Sequence, residues 1–368
     1  MEERDYYLGF SLCSGIGPKR FLSLLKTFKT AKKAWDSSEV ELKTAGLGEA
    51  FVQKLIKFKS ELFDFDSYSK LLKKAGVSFV ALCDKEYPKL LKELDDPPIV
   101  LFTRGDFSSV NFEKTIGVVG TRKITSYGRE VTRLFATDLS LAGFTIVSGL
   151  AMGVDAVAGW SAIAAGGKTV AVLGSGIDLC FPPVNKPLYD KIILDGGVVA
   201  SEFPLGVQPN RGTFPSRNRI IAGLSLGVLV TEGAVDSGAL ITADEAIKIK
   251  RPTFAIPGPI TSSLSKAPLD LIAKGGKLVT SAEDIIKIFK SQFLISNQIS
   301  NSKSQNLKLN NLTKNELEIV QLLENEGLSF DEIVQRSKLN SSEVGSLLSM
   351  MEIKGIIKTS DGLFQSIR

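Results

Sequence analysis

The chain has 368 residues, enough for two or three domains, with a hydrophobic fraction of 43% and 45 Lys/Arg against 40 Asp/Glu, a net charge of +5 compatible with an acidic partner. Histidine is absent, which excludes Ser-His and Cys-His nucleophiles, imidazole acid/base catalysis and histidine metal ligands. Cys13, Cys83 and Cys180 are too scattered for a disulfide framework or a paired metal site, and no apolar run reaches the roughly 20 residues of a membrane helix, so a cytoplasmic protein without membrane contact is expected.

In chain order, residues 1–78 are expected to form a helical module. "RFLSLLKTFKTAKKAW" and "FVQKLIKFKSELFDF" repeat apolar positions at helical spacing with lysines opposite, and the preceding "GIGPKR" reads as a tight turn into a helix, able to meet a phosphate or simply to join two helices. Residues 79–290 alternate β and α: "KTIGVVG", a helix through 127–141, "FTIVSGL", a helix through 154–165, "KTVAVLG", "GGVVASEFP", "LGVLVTEG", a helix through 239–249 and "RPTFAIPG". Short β-branched runs without period-2 polarity mean strands buried on both faces, hence an α/β fold with a Rossmann-like, doubly wound parallel sheet. Residues 291–311, rich in Ser, Asn and Gln, read as a linker. In 312–368, three amphipathic segments and "IIKTSDGLFQSI" around an Asp-Gly turn give a C-terminal winged helix. Residues 311–368 carry 6 Lys/Arg against 9 Asp/Glu, which favours a protein-contact or regulatory role over reading duplex DNA.

Ligands of an open parallel sheet bind beyond the carboxyl ends of its strands, so the loops there carry the functional information. "GVVGTRKITSYG" is not GxGxxG and lacks the acidic ribose ligand of a dinucleotide site; "GKT" at 167–169 has Ala162 where the first Walker glycine belongs and precedes a strand. No nucleotide cofactor is expected. "VSGLAMGVDAVAG" and "VTEGAVDSGALITADEA" place Gly and Ser between a strand and a helix, where backbone N–H groups accept anions. Arg122, and Arg211, Arg217 and Arg219 around "FPSRNRIIAG", add guanidinium groups from separate segments at what reads as the start of a buried helix. Asp155, Glu202, Glu232 and Asp244 stand near strand ends without a paired metal-binding pattern, and Asp155 and Asp244 read as helix-start residues.

With these blocks in hand, the chain resembles the DNA-processing protein A family (DprA, also called Smf). "VGTRKITSYG", "SGLAMGVDAVA", "TVAVLGSGIDLCFPPVNKPLYDKI", "SEFPLGVQPNRGTFPSRNRIIAGLSLGVLVTEGAVDSGALITADEA" and "FAIPGPI" look like its successive core blocks, and the first 78 residues resemble its SAM-like or helix-hairpin-helix module. The resemblance implies a homodimeric mediator, not an enzyme, that binds single-stranded DNA in a basic pocket and helps load the RecA recombinase during natural transformation. It also implies phosphate contacts from Arg122 within the Gly120-Thr121-Arg122 turn and from Arg217 and Arg219 flanking Asn218, a base against Phe214, and phosphate donors at Ser148, Gly149, Ser237 and Gly238. The chain departs from the family pattern at Gly159, where a histidine is usual, and at Ala267 and Leu269 in "SKAPLD". The alternative is a Rossmann enzyme processing or sensing nucleoside monophosphates, although "TEGAVDSGALIT" lacks the PGGxGT-type glycine run such enzymes use.

Overall fold

A computed structural model of the chain describes residues 1–290, 313–323, 327–337, 339–353, 357–360 and 362–366; the expected linker at 291–311 lies outside the described residues. The chain divides into two compact units, Met1–Ile286 and Lys287–Arg368.

The first unit opens with six helices, α1 (Glu3–Leu12), α2 (Pro18–Phe28), α3 (Ala31–Asp36), α4 (Glu39–Thr44), α5 (Glu49–Lys57) and α6 (Phe65–Lys74). The lysine-rich stretch that reads as one helical run through 35 is divided. Lys29 takes a left-handed φ of 71° that ends α2, and the Thr30 hydroxyl accepts from Lys33 N to start α3. Trp35 fills the centre of this module, with its ring 5.1 Å from that of Phe10 and 5.4 Å from that of Phe63. Gly9 makes room for it, since a Cβ there would lie 2.8 Å from the indole. At the "GIGPKR" turn the Arg20 guanidinium donates to the Gly15 carbonyl and covers the Phe51 ring at 4.6 Å.

The sheet has nine strands: β1 (Ser78–Ala81), β2 (Val100–Gly105), β3 (Thr115–Val119), β4 (Thr145–Ser148), β5 (Thr169–Val172), β6 (Val198–Ser201), β7 (Val228–Val230), β8 (Thr253–Ala255) and β9 (Lys277–Leu278). Their spatial order is β1-β2-β6-β5-β4-β3-β7-β8-β9. From β6 to β9 every pairing is parallel, while β2 pairs antiparallel with both β6 and β1. Every residue of β3 through β8 is buried, as continuous Val/Ile/Ala runs require of strands covered on both faces. Further helices are α7 (Lys89–Lys92), α8 (Ser126–Leu141), α9 (Val154–Ala164), α10 (Lys186–Leu194), α11 (Thr213–Leu224), α12 (Gly238–Lys248) and α13 (Lys266–Ala273). The neighbours α8, α9 and α10 accompany the march from β3 out to β6; α11, α12 and α13 accompany the return from β7 to β9. Right-handed crossovers in opposite directions put the two groups on opposite faces.

Arg251 fastens the second group. Its buried guanidinium donates to the carbonyls of Ala222 (2.8 Å), Gly223 (2.6 Å) and Ser225 (2.6 Å) at the end of α11, and pairs with Glu93 at 3.2 Å.

Among its described residues the second unit shows helices at Lys314–Leu322, Phe330–Arg336 and Ser341–Ile353 and a hairpin of Ile357–Ser360 with Leu363–Ser366, the fold of a winged helix. Each of these helices starts with a reciprocal capping pair, Thr313 with Glu316, Ser329 with Glu332 and Asn340 with Glu343, and their apolar sides meet in a core that includes Ile319, Leu328, Ile333, Leu348 and Ile357.

Replacing Arg251 by Met would strip the guanidinium donor from the buried Gly223 and Ser225 carbonyls, while the Ala222 carbonyl keeps Ser225 N at 3.1 Å. We expect Arg251→Met to lower unfolding stability by about 3 kcal/mol in urea titrations, with Arg251→Lys losing less. A change below about 0.5 kcal/mol would show that Arg251 does not hold α11 in place.

Candidate functional site

The crevice of a doubly wound sheet lies where the strand order reverses, outside the carboxyl ends of the strands on either side. Here that place is β3 and β7: β3 continues through α8 to β4 on one side, and the chain returns from β6 to β7 on the other. A cavity of about 300 Å³ opens there, lined by the 120–123 turn after β3, the first turns of α11, and the 234–239 loop into α12.

The turn after β3 is pinned to β7. Thr121 N donates to the Glu232 carbonyl at 2.7 Å, and Gly120 is required because a Cβ would fall 2.5 Å from Val154 and 2.7 Å from that carbonyl. The following residues, Arg122 and Lys123, stand exposed at the cavity mouth. The guanidinium of the exposed Arg122 lies 5.4 Å from the centre of the Phe214 ring, a cation–π geometry. The Glu232 carboxylate accepts from Thr125 N (3.0 Å) and Thr125 Oγ1 (2.6 Å) in space left by the absent side chain of Gly128. An internal anion therefore already compensates the start of α8.

The first turns of α11 supply Phe214, Arg217 and Asn218. Arg217 is buried beneath the cavity; Nη1 donates to the Gly149 carbonyl at 2.6 Å and to the Val172 carbonyl, so the guanidinium spans the ends of β4 and β5. A Cβ on Gly149 would sit 2.2 Å from that guanidinium, which explains the glycine. Arg217 Nε donates to Asn218 Oδ1 at 3.1 Å, and Asn218 Nδ2 donates to the Gly238 carbonyl at 3.2 Å, tying α11 to the start of α12. The Asp155 carboxylate, on the first turn of α9, accepts from Gly149 N (3.0 Å) and Ala151 N (3.3 Å). Burial pushes its pKa upward, against the pull of Arg217 and these N–H groups. Burial pushes Arg217 down to about 10, with Asp155 opposing, so Arg217 stays charged at neutral pH. At the start of α12, the Ser237 hydroxyl caps Ala239 N at 3.3 Å, and the exposed Gly238 faces open space.

Of the residues that the family resemblance implies as DNA contacts, Gly120, Thr121, Arg122, Phe214, Arg217, Asn218, Ser237 and Gly238 meet in this cavity wall. Three do not. The Ser148 hydroxyl is buried and donates to the Val118 carbonyl at 2.8 Å, so it stitches β4 to β3 and offers nothing to a phosphate. Gly149 lies beneath Arg217. Arg219 points away: its guanidinium pairs with the Glu202 carboxylate and donates to the Asp96 carbonyl at 2.7 Å. The reason is helical geometry: α11 begins at Thr213, and residues two apart on a helix project to opposite sides. Asp244 likewise sits in mid-helix, inside α12, and not at a helix start. Lys123 and Asp236 join the cavity wall unanticipated. The first adjoins Arg122 in the same turn and was legible there; Asp236 was hidden among small residues whose loop path the sequence does not specify. Among the described residues no three His, Cys, Asp or Glu side chains gather as a metal site, and no helix is long and apolar enough to cross a membrane.

The profile of DNA recombination-mediator protein A matches residues 78–290, and that of the DprA winged helix domain matches residues 304–362. Protein Smf from Synechocystis sp. is 38% identical over 288 residues, 77% of this chain and 72% of that protein. The X-ray structure of DNA processing protein A from Streptococcus pneumoniae superposes with a TM-score of 0.67 at 34% identity, covering 77% of this chain and 97% of the other. A structure of DNA processing protein A from Helicobacter pylori, described for its single-stranded DNA binding mode, gives a TM-score of 0.52 at 27% identity over 59% of this chain and 98% of the other. With the domain profile spanning more than half of its length and a relative alike over most of both chains, the chain belongs to the family of DNA recombination-mediator protein A.

Proposed function

We propose that the chain binds single-stranded DNA at the β3/β7 cleft, with little sequence preference, and acts in the cytoplasm as a homodimeric recombination mediator that passes the strand to RecA recombinase during DNA uptake. It catalyses no reaction itself. The observation that carries this reading is the pairing of Arg122 with the Phe214 ring at the mouth of a cleft closed beneath by Arg217, in a member of a DNA recombination-mediator family. Single-stranded DNA binding by the Helicobacter pylori relative supports the same polymer. Chemically, Arg122 and Lys123 attract phosphates, the open start of α12 offers backbone N–H groups, and an aromatic face accepts an unpaired base of any identity. Duplex DNA keeps its bases stacked and leaves such a ring unused.

The phosphate contribution comes from counterion release, so affinity for oligo-dT should fall steeply with salt, each phosphate contact adding about 0.7 to the slope of log affinity against log salt. Arg122→Ala is expected to bind about tenfold more weakly, with a slope shallower by about 0.7 and no change in melting temperature, since the side chain is exposed. Fluorescence anisotropy across a salt series measures both, and salt-independent binding by the parent chain would overturn the mechanism. The same variant should fail to accelerate RecA filament assembly on single strands where the parent chain does.

Arg219→Ala should behave oppositely. Removing it strands a buried Glu202 carboxylate, and we expect a stability loss of about 3 kcal/mol while the folded fraction retains oligonucleotide affinity. Equal loss of affinity in Arg122→Ala and in folded Arg219→Ala would place Arg219 back among the DNA contacts.

A further inference from the structure

Outside the cavity wall, the loop that carries the chain from β5 into α10 brings Phe181 beside the site. Its ring centroid lies 5.8 Å from that of Phe214 at an interplanar angle of 45°, and the ring is 42% exposed. A single exposed phenylalanine is unremarkable on a protein surface. Two further facts distinguish this one. First, Phe181 prolongs an unbroken row: Arg122 covers Phe214, and Phe214 touches Phe181. Second, its loop is braced. Ser175 Oγ donates to the Leu179 carbonyl at 2.9 Å, Gly176 N to the Val207 carbonyl at 2.7 Å, Tyr189 Oη to the Ile177 carbonyl at 2.7 Å and Asn185 Nδ2 to the Leu150 carbonyl at 2.8 Å. The ring is thus held in place by bonds on both sides of it, and little side-chain or loop entropy remains to be lost when a ligand lands on it.

We propose that Phe181 is a second stacking platform for an unpaired nucleobase, adjoining the one at Phe214 and extending the binding groove from the cavity across the β5–α10 loop. This rests on the single-stranded DNA reading of the cleft. Inserting a base between two rings needs about twice the 3.4 Å stacking rise, and the Phe181 and Phe214 rings stand too close and too tilted for that. The base therefore lies on the outer, solvent-facing side of Phe181, next along the strand from the base at Phe214. A phenyl ring has no hydrogen-bond donor or acceptor, so this platform takes any base.

The experiment uses the full chain and a dT 12-mer, by anisotropy, with a single abasic nucleotide moved along the strand. Phe181→Ala should weaken binding by about 5- to 150-fold, Phe181→Trp should retain affinity, and at one abasic position the Phe181→Ala penalty should vanish because the base that stacked there is already gone. A penalty that persists at every abasic position would overturn stacking and leave Phe181 a purely structural residue. Parent-like affinity of Phe181→Ala, with Arg122→Ala still weakened, would overturn this inference alone and leave the cleft reading intact. No effect from either variant would overturn both.

Discussion

The site is organised by one buried cation. Arg217 reaches from α11 across the carboxyl ends of β4 and β5, and its guanidinium satisfies the carbonyls of Gly149 and Val172, which would otherwise end the strands without partners. Burying a guanidinium costs several kcal/mol unless it is fully bonded, and the nearby Asp155 carboxylate, itself held by two N–H groups, offsets much of that cost. With Arg217 fixed, Phe214 on the preceding turn and Asn218 on the next position have one place to go, and Asn218 carries the constraint to α12. The walls of the cleft inherit their geometry from this bond set.

The same constraint separates structural from recognition charges. Arg217, Arg219 and Arg251 are each buried and engaged with carbonyls or carboxylates. Glu232 neutralises the start of α8, which removes that helix as an anion site. What remains at the mouth for a ligand is Arg122, Lys123 and the open first turn of α12. Exposed cations attract phosphate at long range without a desolvation cost fixed into the fold, whereas buried ones set positions.

Much of this was readable from residues alone, and the unread part has a common cause. Parallel strands covered on both faces run short, apolar and rich in Val and Ile, so Thr115–Val119, Thr145–Ser148 and Thr169–Val172 announce themselves, as do the glycine-bearing turns that follow them. Capping pairs such as Ser329 with Glu332 mark the C-terminal helices equally well. Three-dimensional direction was not readable. With the start of α11 placed after the arginines, Arg217 and Arg219 look equivalent; with the start at Thr213, they diverge, and Glu202 becomes the partner of one. Phe181 went unnoticed for a related reason. Its neighbour Phe214 is 33 positions away, and only the path of a braced loop brings the two rings together.

Rigid presentation also bears on why such a cleft would tolerate any sequence. Hydrogen-bond readout of a base edge needs donors and acceptors at fixed positions facing the base plane. Here the side-chain groups on the floor beside the rings are already committed, Asn218 to Arg217 and the Gly238 carbonyl, Arg217 to strand carbonyls, and Ser237 to its own helix, while Arg122 and Lys123 stand exposed at the mouth. Ring faces, backbone N–H groups and the two exposed cations are left for a ligand, and on the proposed reading these would separate unpaired from paired polymer without distinguishing one base from another. The bonds that make the cleft rigid thus occupy much of its hydrogen-bonding capacity internally, which supports the proposed indifference to sequence.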